Sequence, residues 1–211
     1  MVQDRTFYHY DGLMARSETD IRPSEARQRL LNTATRIFYG EGIHSVGVDR
    51  IITEAKVTRA TFYRHFPGKE DLVLAYLQAA DQAIRGQVDT ATTAGVPAPD
   101  ALRAVAESIA QNIQSAGFRG CAFLNAAAEY PDADHPVHQA VLTHRQWFLD
   151  TINALMASIQ KTEAEPAAQH FVMLRDGAMA TGCLFDRALI CETFLRGVEG
   201  LIRTHAARQP S

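Results

Sequence analysis

Apolar residues recur at helical spacing along most of this chain. After Ser24, a residue that can cap a helix, Leu30, Ala34, Ile37 and Phe38 follow at i, i+4, i+7 and i+8, which places them on one face of a helix. No segment persuasively alternates with the period of two that is typical of a half-buried strand. The sequence therefore predicts an all-α protein of about nine helices.

Segments containing Gly, Pro, Asp and small polar residues separate the predicted helices. Three short helices between residues 24 and 66 precede a long fourth helix that begins near Gly68. Thr58 can cap the third of the short helices. Later helices are predicted over residues 100–115, 120–130, 136–159, 164–181 and 187–206.

Charge is unevenly distributed along the chain. Residues 22–69 hold nine Lys or Arg against four Asp or Glu, a net charge of +5 in a protein whose formal net charge is −3. A basic face on an otherwise acidic protein suggests a polyanionic partner at that face. A solvated charged surface is the alternative.

Composition argues against several other classes of protein. A hydrophobic content of 46% with 21% charged residues does not suit a disordered chain, and no run of eighteen apolar residues could span a membrane. The first twenty residues lack the basic and apolar regions of a signal peptide. Cys121, Cys183 and Cys191 lack the pairing of metal ligands and suit reduced thiols. We expect a cytoplasmic protein with no membrane contact.

The stretch KVTRATFYRHFPGKE, residues 56–70, predicts the second half of a helix-turn-helix. In this motif one helix braces across the DNA backbone and the next enters the major groove. Phe62 and Phe66 lie four residues apart and can anchor the second helix to the core. Arg59, Thr61 and Arg64 are then free to face the groove.

The exposed side chains of this stretch suit different DNA contacts. Arg59 can donate two hydrogen bonds to guanine, and Thr61 offers a hydroxyl and a methyl group to base edges. Tyr63, His65 and Lys69 can reach phosphates, and Lys69 would do so from the first turn of the fourth helix, where the helix dipole favours an anion. The alternatives are packing for Tyr63 and His65, solvation for Arg64, and a purely capping role for Thr58.

The segment GIHSVGVDRIITEAKVTRATFYRHFPGKEDLV, residues 42–73, resembles the DNA-binding domain of the TetR family of bacterial transcriptional regulators. The resemblance extends from about Arg27 to Leu77. It implies a helix-turn-helix domain over residues 22–69 and an effector-binding and dimerisation domain over 70–211. Residues 1–21 lack periodicity and are predicted to form a flexible arm. The DNA contacts that the resemblance implies lie at Thr58, Arg59, Thr61, Tyr63, His65 and Lys69.

Two positions depart from the family pattern. Lys56 stands where glycine is usual, so either a non-glycine residue takes a positive φ in this turn or the turn differs locally. Val46 and Gly47 replace a threonine that commonly contacts phosphate. Ser45 or the backbone N–H of Gly47 is therefore the predicted substitute.

A small organic effector is the ligand that the resemblance implies for the acidic remainder. Cys121, Asn125 and Glu129 lie at i, i+4 and i+8 beside Phe118 and Phe123, among small residues that leave room for a ligand. Asn125 and Glu129 are the strongest polar candidates because, if buried, both need partners. Later helices add His144, Trp147, Phe148, Phe171 and Met173. For each of these residues an ordinary core role is the alternative.

A homodimer built from the last two helices is also implied. Cys191, Leu195, Val198 and Ile202 form one stripe on the terminal helix, and DGAMATG, residues 176–182, supplies small residues that let helices approach closely. A stripe of this kind is also typical of a core helix. The resemblance favours a dimer.

Metal and catalytic signals are weak. EYPDADHPVH, residues 129–138, contains acidic residues and histidines, but Asp and Pro between helices are ordinary turn chemistry. The sequence has no HExxH, paired Cys, GxSxG or Gly-rich phosphate loop, so we predict no metal, no cofactor and no enzymatic activity.

The predicted function is a sequence-specific DNA-binding regulator. It is predicted to act as a repressor that leaves a palindromic operator when a small organic effector binds. The alternative is a helical small-molecule-binding or catalytic protein whose helix-turn-helix is incidental.

Overall fold

A computed structural model describes residues 24–160 and 162–207 of the chain. Within these residues there are nine α-helices and no strand, so the predicted all-α class is confirmed. The predicted arm, residues 1–21, lies outside the described residues. The helices are α1 (Glu25–Glu41), α2 (Val48–Glu54), α3 (Arg59–His65), α4 (Lys69–Ala91), α5 (Ala98–Gln114), α6 (Ala122–Glu129), α7 (Pro136–Ile159), α8 (Ala164–Thr181) and α9 (Arg187–Ala207).

Side-chain caps define the starts of α1 and α3. The Ser24 hydroxyl accepts a hydrogen bond from the Arg27 N–H at 3.2 Å, and the Thr58 hydroxyl accepts one from the Thr61 N–H at 3.1 Å. Each cap satisfies a donor that has no partner within its own helix. Both caps agree with the sequence prediction.

The first three helices enclose a small apolar core. Phe62 and Phe66 of the α3 segment are buried together with Phe38 of α1 and Ile51 of α2. Burying an aromatic side chain of this size stabilises a fold by roughly 1.5–3 kcal/mol. The two phenylalanines therefore hold α3 in place and leave its other face outside the core.

The turn between α2 and α3 depends on an unusual lysine conformation. Lys56 has a φ of 54°, in the left-handed region that glycine adopts at little cost. Of the two alternatives that the sequence leaves open, the structure has the positive φ. The helix-turn-helix is thus retained without the usual glycine.

The later helices form a bundle around a second part of the core. The α4 helix packs on α1 near its start and on α5 and α7 further along. Cys191, Val198 and Ile202 of α9 are buried, and the Cys191 thiol lies 3.4 Å from the carbonyl of Ala110 in α5. The predicted α9 stripe is therefore core, so a dimer would need a different face of this helix.

Membrane insertion finds no support in the described helices. None of the helices within residues 24–160 and 162–207 is long and apolar enough to cross a bilayer. All three cysteines are unpaired; Cys121 and Cys191 are buried and Cys183 is exposed.

We predict that Lys56→Gly is more stable than Lys56→Ala by about 1 kcal/mol, because only glycine avoids the Cβ clash of the left-handed region. Urea unfolding of the DNA-free protein measures this difference. The exposed helical residue Gln78 is the control, since Gln78→Gly should be less stable than Gln78→Ala by about 1 kcal/mol. The same order at both positions would contradict the left-handed turn.

Candidate nucleic-acid interface and cavity

The outer face of α3 carries the residues predicted to meet DNA. Arg59, Tyr63 and Arg64 are exposed and Thr61 is half-buried. The Tyr63 ring is 46% exposed and lies edge-on against buried Phe62, with ring centroids 5.2 Å apart. Tyr63 therefore packs against Phe62 and still keeps its phenol group accessible.

Arg59 is already paired in the DNA-free protein. Its guanidinium donates a hydrogen bond to the carboxylate of Asp49, in the first turn of α2. Both side chains are largely exposed, so this ion pair contributes little to stability. Arg64 makes no ion pair within residues 24–160 and 162–207. Arg59 would have to leave Asp49 to donate two hydrogen bonds to a base.

The hydroxyls of Thr58 and Thr61 lie side by side. Their oxygens are 2.9 Å apart, in addition to the cap that Thr58 forms with the Thr61 N–H. Thr58 therefore has the capping role expected for it. Its hydroxyl also orients that of Thr61 at the start of α3.

Ser45 and Gly47 lie near the start of α2 but differ in the group that each has available for a phosphate. The Ser45 hydroxyl donates to the carbonyls of Glu41 at 2.7 Å and Gly42 at 3.0 Å, so it is engaged with the end of α1. Gly47 precedes the first residue of α2, and no side chain caps this helix. The backbone at Gly47 is therefore the better placed of the two for a phosphate.

His65 and Lys69 lie at the two sides of the α3–α4 turn. The His65 Nε2 atom is 3.0 Å from the Ser24 hydroxyl, which ties the end of α3 to the start of α1. Burial lowers the pKa of the half-buried Lys69, and the nearby Glu129 carboxylate opposes this shift. Asp71 accepts a hydrogen bond from the Gly68 N–H at 2.8 Å and completes the start of α4.

Glu129 connects α6 to the helix-turn-helix and does not line the central cavity. Its two carboxylate oxygens accept hydrogen bonds from the N–H groups of Ile43 at 2.8 Å and His44 at 2.6 Å. The carboxylate is held by the α1–α2 loop and borders a separate cleft together with Phe118, Cys121 and Asn125, so its role as a ligand contact stays a prediction. A carboxylate that accepts two backbone hydrogen bonds is a strong connection between segments.

Tyr39 makes a second connection between α1 and the segment before α6. Its hydroxyl donates to the carbonyl of Gly120 at 2.8 Å and accepts from the N–H of Arg119 at 2.9 Å. Burial raises the pKa of this phenol. Asn125 donates to the Arg119 carbonyl at 3.0 Å and so supports the same segment, while its role as a ligand contact stays a prediction.

A cavity of about 310 Å³ lies among α1, α4, α5, α6, α7 and α8. This volume is at the lower end of the range found for small-molecule sites. Of the residues predicted to bind the effector, Cys121 and Phe148 line it. The other lining residues are Thr35, Arg36, Tyr39, Tyr76, Ala80, Ala83, Ile84, Gln87, Val88, Val105, Ser108, Ile109, Asn112, Gly120, Ala122, Arg175 and Met179.

Three residues predicted to bind the effector, Phe123, His144 and Phe171, are buried in the packed core and do not line the central cavity. Phe123 stacks on His144, with ring centroids 3.6 Å apart and the rings nearly parallel. Phe171 is fully buried beside Phe148 and Phe194. Helical spacing alone cannot separate core rings from lining rings, because both face inward.

His144 is held by α4 as well as by its ring neighbour. Its Nδ1 atom lies 2.7 Å from the Asp81 carboxylate, while its Nε2 atom is buried without a partner in the described part of the chain. Burial lowers the pKa of this imidazole, and the Asp81 hydrogen bond opposes the shift. A buried, neutral histidine therefore connects α7 to α4.

Phe118, Trp147 and Met173 lie outside the central cavity. Phe118 is buried next to the Arg187 guanidinium, 5.5 Å from the ring centroid, and borders a separate cleft. Trp147 packs under the guanidinium of Arg85 at 4.0 Å and faces an outer groove. Met173 is 70% exposed on α8. The three side chains are directed away from the central cavity, and their roles as ligand contacts stay predictions.

Arg175 is a buried, charged residue of the cavity lining that the sequence analysis did not predict. It is 3% exposed, and its guanidinium lies 4.9 Å from the centroid of the Phe148 ring. The signal was present in the spacing, since Arg175 lies four residues after Phe171 and four before Met179 on the inward stripe of α8. A charge on a buried stripe indicates a functional site or a structural ion pair.

The acidic segment between α6 and α7 has structural roles. The His135 ring accepts a hydrogen bond from the Val137 N–H at 3.2 Å, and His138 Nδ1 lies 2.7 Å from the Tyr130 carbonyl. In the described ranges, no three His, Cys, Asp or Glu side chains are grouped so that they could hold a metal ion.

Comparisons with known proteins place this geometry among transcriptional regulators. Residues 30–76 match the family described as bacterial regulatory proteins, tetR family. The crystal structure of SCO4454, a TetR-family transcriptional regulator from Streptomyces coelicolor, is 64% identical, with a TM-score of 0.85. That similarity covers 87% of this chain and 97% of SCO4454.

Curated relatives are more distant. The regulator AcuR of Cereibacter sphaeroides is 34% identical over 108 residues, which are 50% of this chain and 49% of AcuR. The chain thus spans about half the length of that relative. The regulator YjdC of Escherichia coli is 21% identical over 186 residues, which are 87% of this chain and 96% of YjdC.

We predict that Glu129→Ala raises the amide hydrogen-exchange rates of Ile43 and His44 by about tenfold, because both amides lose their acceptor. Exchange measured on the DNA-free protein tests this. Asp132→Ala is the control, since it removes an equal charge from the nearby exposed turn and should leave both amides unchanged. Equal rates in Glu129→Ala and wild type would contradict the connection.

Proposed function

Because the chain belongs to the TetR family of bacterial transcriptional regulators, we propose that it is a cytoplasmic homodimeric repressor that a small organic effector releases from a palindromic operator. The observation that carries this proposal is the position of α4. This helix begins against the helix-turn-helix and later contributes Ala80, Ala83 and Ile84 to the cavity. The similar proteins SCO4454, AcuR and YjdC are transcriptional regulators, and we propose no enzymatic activity for this chain.

The proposed DNA contacts divide into base-reading and phosphate-binding groups. Arg59 and Thr61 are proposed to read base edges, with Arg59 exchanging Asp49 for guanine. The remaining residues are proposed to bind phosphates or to position α3 in the groove. They are Ser45, the backbone of Gly47, Thr58, Tyr63, Arg64, His65 and Lys69.

An exposed apolar face on α8 and α9 supports the proposed homodimer. Met173 is 70% exposed and Leu174 37% exposed on α8, and both line one largely apolar groove with Ile190 and Leu201 of α9. Small residues such as Gly177 and Gly197 line the groove between the two helices, where a partner helix could approach closely. A two-fold pair built on this face would present two α3 helices to two half-sites.

The proposed release mechanism uses the connections between the two parts of the chain. Tyr39 lines the cavity and also holds the segment before α6, while Glu129 at the end of α6 holds the α1–α2 loop. An effector that shifts α4 or α6 would move α1 through these contacts and change the separation of the two recognition helices. Effector binding would then weaken DNA binding by the same free energy by which DNA binding weakens effector binding.

We predict that Arg59→Ala weakens operator binding by about 10-fold to 100-fold and relaxes base preference at one symmetric position, because one bidentate contact is lost. Fragments selected from DNA upstream of the gene and of its neighbours provide the operator, and anisotropy titrations at several salt concentrations measure the binding. Arg203→Ala is the control, since it removes an equal charge at an exposed site on α9.

Two results would count against this part of the proposal. Absence of salt-sensitive, sequence-specific binding by the wild type would refute the regulator function itself. Unchanged base preference in Arg59→Ala would refute direct reading by Arg59 alone.

We predict that Met173→Glu converts the dimer to a monomer, because a charge at this exposed apolar site would be buried in the interface without a partner. Light scattering after size exclusion measures the mass. Leu142→Glu is the control, since Leu142 is 44% exposed on α7 and should leave the dimer intact. A dimeric Met173→Glu or a monomeric wild type would show that α8 does not form the interface.

A further inference from the structure

The central cavity contains a guanidinium with more donors than acceptors. Arg175 is 3% exposed and donates to the Asp176 carboxylate at 2.9 Å. Its other contact at hydrogen-bonding distance is the Cys121 thiol, at 3.6 Å. A guanidinium has five N–H donors, and sulfur is a weak acceptor, so Arg175 retains hydrogen-bonding capacity toward the cavity.

Asp176 is shared between Arg175 and a second arginine, so it does not fully balance the charge of Arg175. Arg145 also donates to both oxygens of Asp176, at 3.2 and 2.5 Å. One carboxylate thus serves two guanidinium groups. The Asp81 carboxylate on α4 is itself held by Arg85 at 2.6 Å and by His144 at 2.7 Å.

The cavity lining supplies no further negative charge. Among the described residues, none of the side chains that line it is Asp or Glu. Arg36, the other lining arginine, is held outside by the Glu54 carboxylate. An unbalanced buried cation is costly unless an anion accompanies it, so the site at Arg175 favours a negatively charged ligand.

We propose that the effector is a small organic acid whose carboxylate accepts hydrogen bonds from Arg175. A carboxylate fits the planar guanidinium in a two-point contact that the Cys121 thiol cannot provide. Apolar lining residues such as Ile84, Val105 and Ile109 would hold the rest of the molecule. This inference rests on the proposed role of the cavity as the effector site.

The position of Cys121 links this contact to the release mechanism. Cys121 immediately precedes α6 and follows Gly120, whose carbonyl accepts the hydrogen bond from Tyr39 of α1. A carboxylate that takes the place of the thiol beside Arg175 would act on the segment that Tyr39 holds. Cys121, which contacts Arg175, and Gly120, which accepts the hydrogen bond from Tyr39 of α1, are therefore adjacent residues.

Matched acid and amide probes test the proposal on the full-length protein. Octanoate and phenylacetate are titrated beside octanamide and phenylacetamide, which have nearly the same shape without the charge. Calorimetry should give binding of the acids that is at least about tenfold tighter than binding of the amides. Arg175→Met should remove this preference, and the control Arg203→Met, at an exposed site on α9 outside the cavity, should retain it.

A second variant protects the test against misfolding. If Arg175→Met does not fold, Arg175→Lys keeps the charge but loses the planar two-point contact, and it should reduce the preference. Equal binding of acids and amides by the wild type, no saturable binding of either acid, or an undiminished preference in the folded Arg175 variant would overturn the proposal.

Release of operator DNA separates this inference from the proposed function. Acids that bind through Arg175 without releasing DNA would support the anion site and contradict the repressor mechanism. Neutral compounds that release DNA through this cavity, with no binding of the acids, would support the mechanism and overturn the anion site.

Discussion

The Glu129 carboxylate holds the DNA-binding helices to the rest of the molecule. It accepts two backbone hydrogen bonds from the α1–α2 loop, where those N–H groups would otherwise have to find water. Tyr39 adds a second attachment on the same side. With α4 as the covalent link, these contacts fix the orientation of α3, on which any reading of two half-sites depends.

The helix-turn-helix has fewer unpaired cations at its surface than the net charge of residues 22–69 suggests. Arg50 donates to Glu41 and Glu54, Arg36 donates to Glu54, and Arg59 donates to Asp49. These exposed pairs give little stability, but they set which cations are available to phosphates without rearrangement. Arg59 is therefore better suited to a selective contact than to general attraction, because it must exchange one partner for another.

Sequence reasoning was most successful where local rules decide the outcome. The caps at Ser24 and Thr58 depend on residues close in the chain, as do the helix bounds. At Lys56 the sequence left a positive φ and a different turn open, and the structure has the positive φ. Periodicity also identified Phe62 and Phe66 as the anchors of α3. These features needed no knowledge of how distant helices pack.

The cavity could not be predicted to the same extent, because its lining depends on how six helices meet. Glu129 and Asn125 share a helical face with Cys121, yet only Cys121 reaches the cavity, since backbone groups 6 to 86 residues away engage the other two. Met173 lies two residues before Arg175, and α8 turns one outward and the other inward. A ligand bound beside Arg175 would contact side chains from both parts of the chain. It can change DNA affinity only if those contacts differ between the arrangement of the DNA-binding helices that fits the operator and the arrangement that does not. The cavity is placed where such a difference can arise, because α1 and α4 both line it, α1 packs on α3 and α4 follows α3 in the chain.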